Sequence, residues 1–350
     1  MDSRGDGRAH TFAVTVTYGD RSRLVHQVVH NALANGIAKV IIIDNGSVAA
    51  SKQAIRKMEL DLEGRIVVVE LPQNVGSAAG FKAGLKYAQS CSDCEFLWLL
   101  DDDNCPLEGA LAELLKQHHK LSRLIAFDRL ALVSLRNGWQ EHNKLAHGVP
   151  VKKVYARKSS FMGIHCFLTP PRIYARFSRV NRKANARIER ALASVDIPFG
   201  PYGGLFFHKS ALEVVGYPDE RFFVYNDDTE FTSRFRKSDG RVFLIPGSRV
   251  CDLEPSWHVL NKGETLFSHL LRSESDQRIF YATRNQSYLE THVWGVNTWL
   301  YSLNKWFFFL LLGISALRHD RWKRFWLIAH AVKDGRSGVL GVVPEVYNGK

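Results

Sequence analysis

The chain has 350 residues, of which 45% are hydrophobic and 23% charged, and this composition is typical of a globular protein with a sizeable core. A formal charge of +12 indicates an anionic partner, which could be nucleic acid, a phosphate-bearing small molecule or an acidic membrane surface. Five cysteines without a repeated spacing argue against a secreted disulfide framework, and we interpret the single C-x-x-C, Cys91 and Cys94, as ordinary thiols rather than as a zinc or redox site.

Strand-like and helix-like patterns alternate through the first third of the chain. Apolar, β-branched strands are predicted at TFAVTVTY (11–18), KVIIIDN (39–45), RIVVVEL (65–71) and EFLWLLD (95–101). Helical patterns over about 23–35 and 77–90 separate them. This alternation predicts an α/β fold with a largely parallel sheet that is covered by helices on both faces.

Polar clusters follow each of these strands, and in such sheets ligands bind at the carboxyl ends of the strands. Neither G-x-G-x-x-G nor G-x-x-x-x-G-K-[ST] follows the first strand, so a dinucleotide site and a P-loop lose their main support. The clusters are Thr17 to Arg21, Asp44 to Ser47, Asn74 to Ser77 and Asp101 to Asp103.

Three consecutive aspartates, Asp101, Asp102 and Asp103, come directly after an apolar strand. Like charges at a sheet edge repel one another unless water or a cation surrounds them. Two carboxylates two residues apart can hold Mg²⁺ or Mn²⁺ and leave positions open for phosphate oxygens. A solvated turn is the alternative, and the apolar strand before the acids favours the metal.

The second half contains a basic region, a further α/β pattern and another acidic cluster. Residues 136–198 are interpreted as an insertion, with a basic amphipathic segment over 169–192. The pattern over 202–247 predicts a strand, a helix, a loop, a second helix from about Asp227 and another strand. The acids of "FFVYNDDTEF" (222–231) fit the start of that second helix, and the aromatic residues before them would raise a carboxylate's proton affinity, as a general base requires. Glu230 is equally consistent with a structural role.

The longest apolar run is WFFFLLLGISAL (306–317), about 12 residues, which is short of the roughly 20 that span a membrane. Tryptophans and basic residues between 299 and 326 suit a helix in a lipid interface, and a buried packing helix is the alternative.

Several of these motifs, in this order and spacing, resemble glycosyltransferase family 2, and in particular its bacterial galactofuranosyltransferase and rhamnosyltransferase branch. The resemblance covers residues 11 to about 290 except for 136–198. It implies a GT-A fold, with a nucleotide-binding half and an acceptor half on one mixed sheet. The motifs are VTVTYGDR, IIIDNGS, NVGSAAGFKAGL, LLDDDN, GGLFFHKSALEVVGYPDERFFVYNDDTEFTSRF and YATRN.

The resemblance also implies roles for individual residues. Its D-x-D metal motif falls on Asp101 and Asp103, and its catalytic base falls on Asp228. The residues implied to contact the nucleotide or the sugar are Thr17, Tyr18, Arg21, Asp44, Asn74, Gly76 and Asp102. Relatives place a metal-binding His after the strand that follows the base helix; here either Asp252 or His258 could complete the site, and His258 is our choice.

Together the motifs and the resemblance predict an inverting, Mg²⁺- or Mn²⁺-dependent transfer of a sugar from a UDP- or dTDP-sugar, and the resemblance alone favours galactofuranose or rhamnose. The acceptor is predicted to be a glycan or a polyprenyl-diphosphate-linked glycan, at the inner face of the cell membrane, for cell-surface polysaccharide. The alternatives are a sugar-phosphate nucleotidyltransferase and a nucleic-acid-binding protein that uses residues 169–192. The predicted regions are a flexible 1–10, a nucleotide-sugar half (11–135), the insertion, which could serve as an acceptor loop (136–198), an acceptor half (199–290) and an aromatic and basic helical region (291–350).

Overall fold

The computed structural model describes residues 7–156, 158–167, 192–254 and 265–343. These residues form two compact units. The first unit contains the described residues up to 151, with 192–220 and 227–254. The second contains the described residues of 152–167, with 221–226 and 265–343.

A nine-stranded mixed sheet organises the first unit. Its order is β3-β2-β1-β4-β8-β6-β9-β5, and β7 pairs with β9. Strands β3, β2, β1 and β4 run parallel, β8 runs antiparallel between β4 and β6, and β6 is parallel to β9. This arrangement confirms the predicted α/β class. The strands are β1 (Thr11–Gly19), β2 (Lys39–Ser47), β3 (Ile66–Glu70), β4 (Phe96–Asp101), β5 (Asn104–Pro106), β6 (Leu130–Arg136), β7 (Val195–Ile197), β8 (Leu205–His208) and β9 (Arg241–Asp252).

The central strands are nearly continuous apolar runs because both faces of the sheet are covered. Ile41, Ile42 and Ile43 of β2 are completely buried, as is the Trp98 ring of β4. The helices of this unit are α1 (Ser22–Ala34), α2 (Ala49–Asp61), α3 (Gly76–Ser90), α4 (Ala110–Leu121), α5 (Gln140–Ala146), α7 (Ala211–Val215) and α8 (Asp227–Lys237). A single helical turn, α6 (Val151–Val154), begins at residue 151, where the chain passes from the first unit to the second.

Helix α3 lies unusually close to the sheet because it has no side chain at two positions that face β1. A Cβ atom on Gly80 would lie 2.6 Å from Cγ1 of Val16, and one on Gly84 would lie 2.4 Å from Cγ1 of Val14. Both distances are shorter than a carbon contact allows. The two glycines therefore bring the start of α3 to the end of β1, beside the polar strand ends.

The second unit is helical. Its helices are α9 (Leu266–Arg272), α10 (Asp276–Tyr288), which continues into a π-helical turn (Leu289–Val293), α11 (Thr298–His319) and α12 (Trp322–Arg336). The core includes Phe161, Ile279, Phe308, Leu312 and Ile328. Side chains of Thr265, Ser275 and Asn297 cap three of the helices by accepting backbone N–H bonds.

Helix α11 corrects the sequence analysis on one point. Its 22 residues extend the apolar run at both ends, so by length and composition it could cross a membrane, although the apolar run alone is shorter. Length and composition are weak evidence for a membrane span, because a buried helix of a soluble protein can have both.

Residues 221–226 form a loop of the second unit. The side chain of Asn285, in α10, donates hydrogen bonds to the backbone of this loop. The Asn285 amide nitrogen donates to the carbonyl oxygens of Phe222, Val224 and Tyr225 at 3.0, 2.8 and 2.8 Å. Within the loop, φ is +65° at Phe223 and +66° at Tyr225, which is rare for large side chains. A single amide side chain therefore stabilises a backbone that would otherwise avoid this conformation.

Candidate active site

The three aspartates after β4 have different environments. The Asp101 and Asp103 side chains are 35% and 23% exposed, whereas that of Asp102 is only 7% exposed. Asp102 points inward, where it accepts hydrogen bonds from Oγ1 of Thr17 at 2.9 Å and Nε of Arg21 at 2.7 Å. Asp102 is thus held by the protein, and the other two carboxylates are the open ones.

Arg21 links several of the predicted nucleotide-binding residues. Its Nη2 lies 3.6 Å from Asp103, its Nη1 donates to Glu254 at 2.8 Å, and its guanidinium lies 5.5 Å from the centre of the Tyr18 ring. The Tyr18 ring is 44% exposed. Thr17, Tyr18 and Arg21 are therefore gathered around the aspartates, as the motif order predicts, with an aromatic ring open to solvent.

The ends of β2 and β3 are joined through Asn45, which the sequence analysis did not select. Its side chain donates to the carbonyl oxygen of Gly76 at 3.0 Å and accepts from the amide of Val75 at 2.9 Å. Asn74 accepts from the Gly76 amide at 2.9 Å, and Asp44 accepts from the Ser47 amide at 2.8 Å. The predicted residues Asp44, at the end of β2, and Asn74 and Gly76, at the start of α3, thus lie on two segments that Asn45 joins.

The second acidic cluster starts α8, as predicted, and its three acids have three different partners. Asp227 accepts from Oγ of Ser77 at 2.9 Å, and Glu230 accepts two bonds from Arg234 at 2.9 and 2.5 Å. Asp228 is partly exposed and accepts from the backbone amide of Thr229 at 2.6 Å. Glu230 is therefore paired within α8, and Asp228 is the acid left with an open side.

Arg136, at the end of β6, is a central residue that the sequence analysis missed. It donates through Nε and Nη2 to Asp252 at 2.9 and 2.6 Å and lies 3.5 Å from Asp101 through Nη1. Asn104 also donates to Asp252, at 2.9 Å. Asp252 is thus the partner of a buried guanidinium. Only the basic composition of residues 136–198 pointed to this region.

The loop before β8 packs directly on the aspartate loop. A Cβ atom on Gly203 would lie 2.8 Å from Oδ2 of Asp101 and even closer to Oδ1 of Asn104, so any larger residue there would displace both of these side chains. The Gly204 amide donates to the carbonyl oxygen of Leu99 at 2.8 Å. The sequence signal was the Gly-Gly pair in YGGLFF, which was quoted in the resemblance without a role.

Burial raises the pKa of the carboxylates at this edge. The pKa of Asp101 is raised to about 7 by burial, with Arg136 opposing and Asp103 and Asp228 adding to it through their charges. Burial and the Asp102 charge raise the pKa of Asp103 to about 6. Burial also raises the pKa of Asp228, and hydrogen bonds from Thr229 oppose the rise. Burial and mutual repulsion therefore oppose ionisation of these acids unless further positive charge is supplied nearby.

This donor set fits a divalent cation. Mg²⁺ is commonly held by one or two carboxylates together with substrate phosphates, and the open Asp101 and Asp103 can supply two. In the described part of the chain, no three His, Cys, Asp or Glu side chains form a complete protein-only site. The predicted ligand His258 lies outside the described residues. Asp252 is engaged by Arg136 and Asn104.

The family model described as Glycosyl transferase family 2 matches residues 13–188, which includes most of the region that the sequence analysis placed outside the resemblance. No match was found among curated protein sequences.

Similar solved structures include GalNAc-T7 with UDP, GalNAc and Mn²⁺, at 14% identity and a TM-score of 0.48 over 94% of this chain. S. aureus TarS 1-349 in complex with UDP-GlcNAc has 15% identity and a TM-score of 0.43 over 82% of this chain. The matched part of this chain spans 58% of the GalNAc-T7 chain and 68% of the TarS 1-349 chain.

The family match and the mixed sheet together confirm the α/β fold of GT-A type. The galactofuranosyltransferase and rhamnosyltransferase branch stays a prediction. Because the match spans half of the chain, the protein belongs to glycosyltransferase family 2.

Proposed function

We propose that this protein transfers a sugar from a nucleoside-diphosphate sugar to an acceptor hydroxyl with inversion at the anomeric carbon. One observation carries the proposal: Asp101, Asp103 and Asp228 are the open carboxylates at one edge of the sheet, and Asp228 is near enough for its charge to raise the pKa of Asp101. In a displacement at one carbon, the metal acts on the leaving group and the general base acts on the attacking oxygen, so both must belong to one site.

The nucleotide is proposed to bind at the ends of β1 and β2. The exposed Tyr18 ring offers a stacking surface for the base, and Arg21 beside it supplies positive charge. Asp44 is proposed to hold the base or ribose, and Asp102 the ribose or sugar. Asn74 and Gly76, at the start of α3, are proposed to approach the diphosphate, where the positive end of the helix dipole favours an anion.

Asp101 and Asp103 are proposed to hold Mg²⁺ or Mn²⁺ together with the donor's diphosphate oxygens. A bound cation at this position would stabilise the negative charge that the departing nucleoside diphosphate acquires. Two arginines of the protein also add positive charge beside these carboxylates. Arg21 lies 3.6 Å from Asp103, and Arg136 lies 3.5 Å from Asp101.

Asp228 is proposed to act as the general base. The acceptor oxygen forms a bond to the anomeric carbon while the bond from that carbon to the β-phosphate oxygen breaks, and the leaving group takes the electron pair. The acceptor proton goes to the Asp228 carboxylate. Its raised pKa suits this role, because a stronger base removes the proton more readily near neutral pH.

The test is donor binding and donor turnover in the presence and absence of Mg²⁺ or Mn²⁺. The panel contains UDP- and dTDP-linked sugars, with UDP-galactofuranose, dTDP-rhamnose, UDP-GlcNAc and UDP-GalNAc among them, and calorimetry measures binding. We expect metal-dependent binding of one donor by the wild type and its loss in Asp103→Ala. The surface variant Asp61→Ala is the matched control and should bind as the wild type does. Failure of every donor to bind would refute the proposal.

The variant Asp228→Asn tests the general base independently of donor binding. We expect turnover to fall about 10²- to 10⁴-fold, the usual contribution of a general base, while the donor Kd changes less than about threefold. Single-turnover kinetics with the preferred donor provide the measurement. Turnover within about threefold of the wild type would show that another group accepts the proton.

The acceptor is proposed to be a glycan or a polyprenyl-diphosphate-linked glycan at the cytoplasmic face of the membrane, and galactofuranose or rhamnose is the favoured sugar. The alternatives predict different results in the same assays. A nucleotidyltransferase would release pyrophosphate from a nucleoside triphosphate and a sugar phosphate. A nucleic-acid-binding protein would bind duplex or single strands in a salt-dependent way, which the acidic sheet edge disfavours.

A further inference from the structure

Helix α11 of the second unit has a continuous apolar face that is open to solvent. Its large side chains recur every three or four residues from 299 to 317, a rise of about 27 Å along the helix. We call this face the α11 stripe. Its members, with their exposed fractions, are Trp299 (70%), Leu303 (36%), Trp306 (71%), Leu310 (60%), Ile314 (43%) and Leu317 (69%).

The opposite face of α11 is committed to the second unit. Tyr301, Phe308 and Leu312 are buried in its core. The buried Asn304 donates to the carbonyl oxygen of Ser159 at 2.7 Å and accepts from the backbone amide of Cys166 at 2.8 Å. A helix that crossed a membrane alone would have to give up these contacts, so among the described residues of α11 the stripe is the face available to a partner.

The composition around the stripe favours an anionic lipid surface as that partner. The segment Thr298–Arg336 contains seven Lys or Arg and two acidic residues. Two further tryptophans, Trp322 and Trp326 of α12, are 42% and 67% exposed. Tryptophan rings prefer the boundary between lipid tails and headgroups, and basic side chains are attracted to anionic headgroups. Lys305 lies 5.8 Å from the centre of the Trp306 ring, which places a cation beside an aromatic ring on the helix.

A second copy of the chain fits the stripe less well. The spacing of three and four residues could form a helix pair, with 299, 306 and 313 as one set of contact positions and 303, 310 and 317 as the other. The residues at 299, 306 and 313 are Trp, Trp and Gly, whereas a stable pair of helices would have Ile, Val or Leu at these contact positions. The excess of positive charge would also repel an identical segment.

We propose that the second unit docks on anionic membranes through the α11 stripe, with α11 parallel to the surface and its Trp and Leu side chains in the lipid interface. An unbroken apolar stripe on a helix whose other face is packed is the arrangement of an interfacial helix. The proposal does not depend on the transfer reaction, because the binding can be measured without any donor sugar.

The test uses the full chain and vesicles of phosphatidylcholine with about a third phosphatidylglycerol, with pure phosphatidylcholine vesicles for comparison. We expect the wild type to co-sediment with the anionic vesicles and its tryptophan emission to shift to the blue. Trp306→Glu with Leu310→Glu should lower partitioning at least tenfold, since two charges would enter the lipid interface. Both sites are exposed, so folding should be kept. The matched control is Leu60→Glu with Leu124→Glu, two exposed leucines of the first unit, and its partitioning should stay within about twofold of the wild type.

Three outcomes would overturn the proposal. Equal partitioning of the two double variants would show that the α11 stripe is not the contact. A dimer in sedimentation velocity that only the Trp306→Glu, Leu310→Glu variant loses, without vesicle binding by the wild type, would assign the stripe to a second copy. Retention of the wild type in membranes washed with alkaline carbonate would show a spanning helix instead.

Discussion

Asp102 and Asp252 of the first unit lie against guanidinium groups, whereas the buried Glu290 of the second unit has neutral partners. Asp102 and Asp252 accept charged hydrogen bonds from Arg21 and Arg136. Glu290 accepts from the Met162 amide at 2.9 Å and the Gln286 side chain at 3.0 Å. Burial raises the pKa of both Asp102 and Glu290; at Asp102 the hydrogen bond and charge of Arg21 oppose the rise, whereas at Glu290 the opposing hydrogen bonds come from uncharged donors.

The largest expected effect on stability comes from removing one charge of a buried pair in the first unit. Arg136→Leu would leave the Asp252 carboxylate without its guanidinium, and such a loss typically costs about 3–5 kcal/mol. Because the two units could unfold separately, hydrogen exchange of the β6 and β9 amides is the suitable measurement.

Two controls test whether the ion pair itself is responsible. Arg136→Leu combined with Asp252→Asn should recover part of the loss, since no unpaired charge is then buried. Arg56→Leu removes an exposed arginine that pairs with Glu59 and Glu70, and should cost about 0–1 kcal/mol. Equal costs for Arg136→Leu and Arg56→Leu would mean that the first unit does not depend on buried ion pairs.

The second expected effect concerns Glu290 and depends on pH. Burial raises the pKa of Glu290 from 4.5 to about 7, so the folded second unit binds a proton that the unfolded chain releases. Its stability should therefore fall as pH rises from about 4.5 to about 7 and then stay level.

Glu290→Gln removes this titration. The variant should be more stable than the wild type at pH 8 by on the order of 2–3 kcal/mol, and the gain should shrink to little below pH 4.5. Hydrogen exchange of the α10 amides at several pH values provides the measurement. A gain that does not change with pH would mean that Glu290 is not protonated in the fold.

The smallest expected effect comes from a neutral side chain. Asn285→Ala would leave three carbonyl oxygens of the 221–226 loop without their shared donor, at a cost of about 1–3 kcal/mol. We expect faster exchange of the amides in this loop, where positive φ angles make the present backbone unfavourable without support.

The control for this prediction is Asn31→Ala, which removes one exposed hydrogen bond to the Gln27 carbonyl oxygen and should change little. If Asn285→Ala left the exchange of residues 221–226 unchanged, the loop would be held by other contacts, among them the Arg284 bonds to its carbonyl oxygens.

Several features of the site could not be predicted from neighbouring residues. Arg136 and Asp252 are 116 positions apart, and Ser77 and Asp227 are 150 apart. Their pairing depends on the order β8-β6-β9 and on the place of α8, and no local pattern encodes either. The sequence analysis did not select Asn45, because its hydrogen bonds join the end of β2 to the start of α3, two segments that only the folded sheet brings together.

The sequence by itself determined the alternation of strands and helices, the acids at the ends of β4 and at the start of α8, and the family. These signals are local, because periodic burial and the side chains that follow a strand are written in consecutive residues. Tertiary structure alone decided which acids stay open, which arginine neutralises Asp252, and which face of the apolar helix α11 is exposed. Those outcomes depend on contacts between residues far apart in the chain, and the burial that such contacts impose sets both the charge of each carboxylate and the surface that is left for a partner.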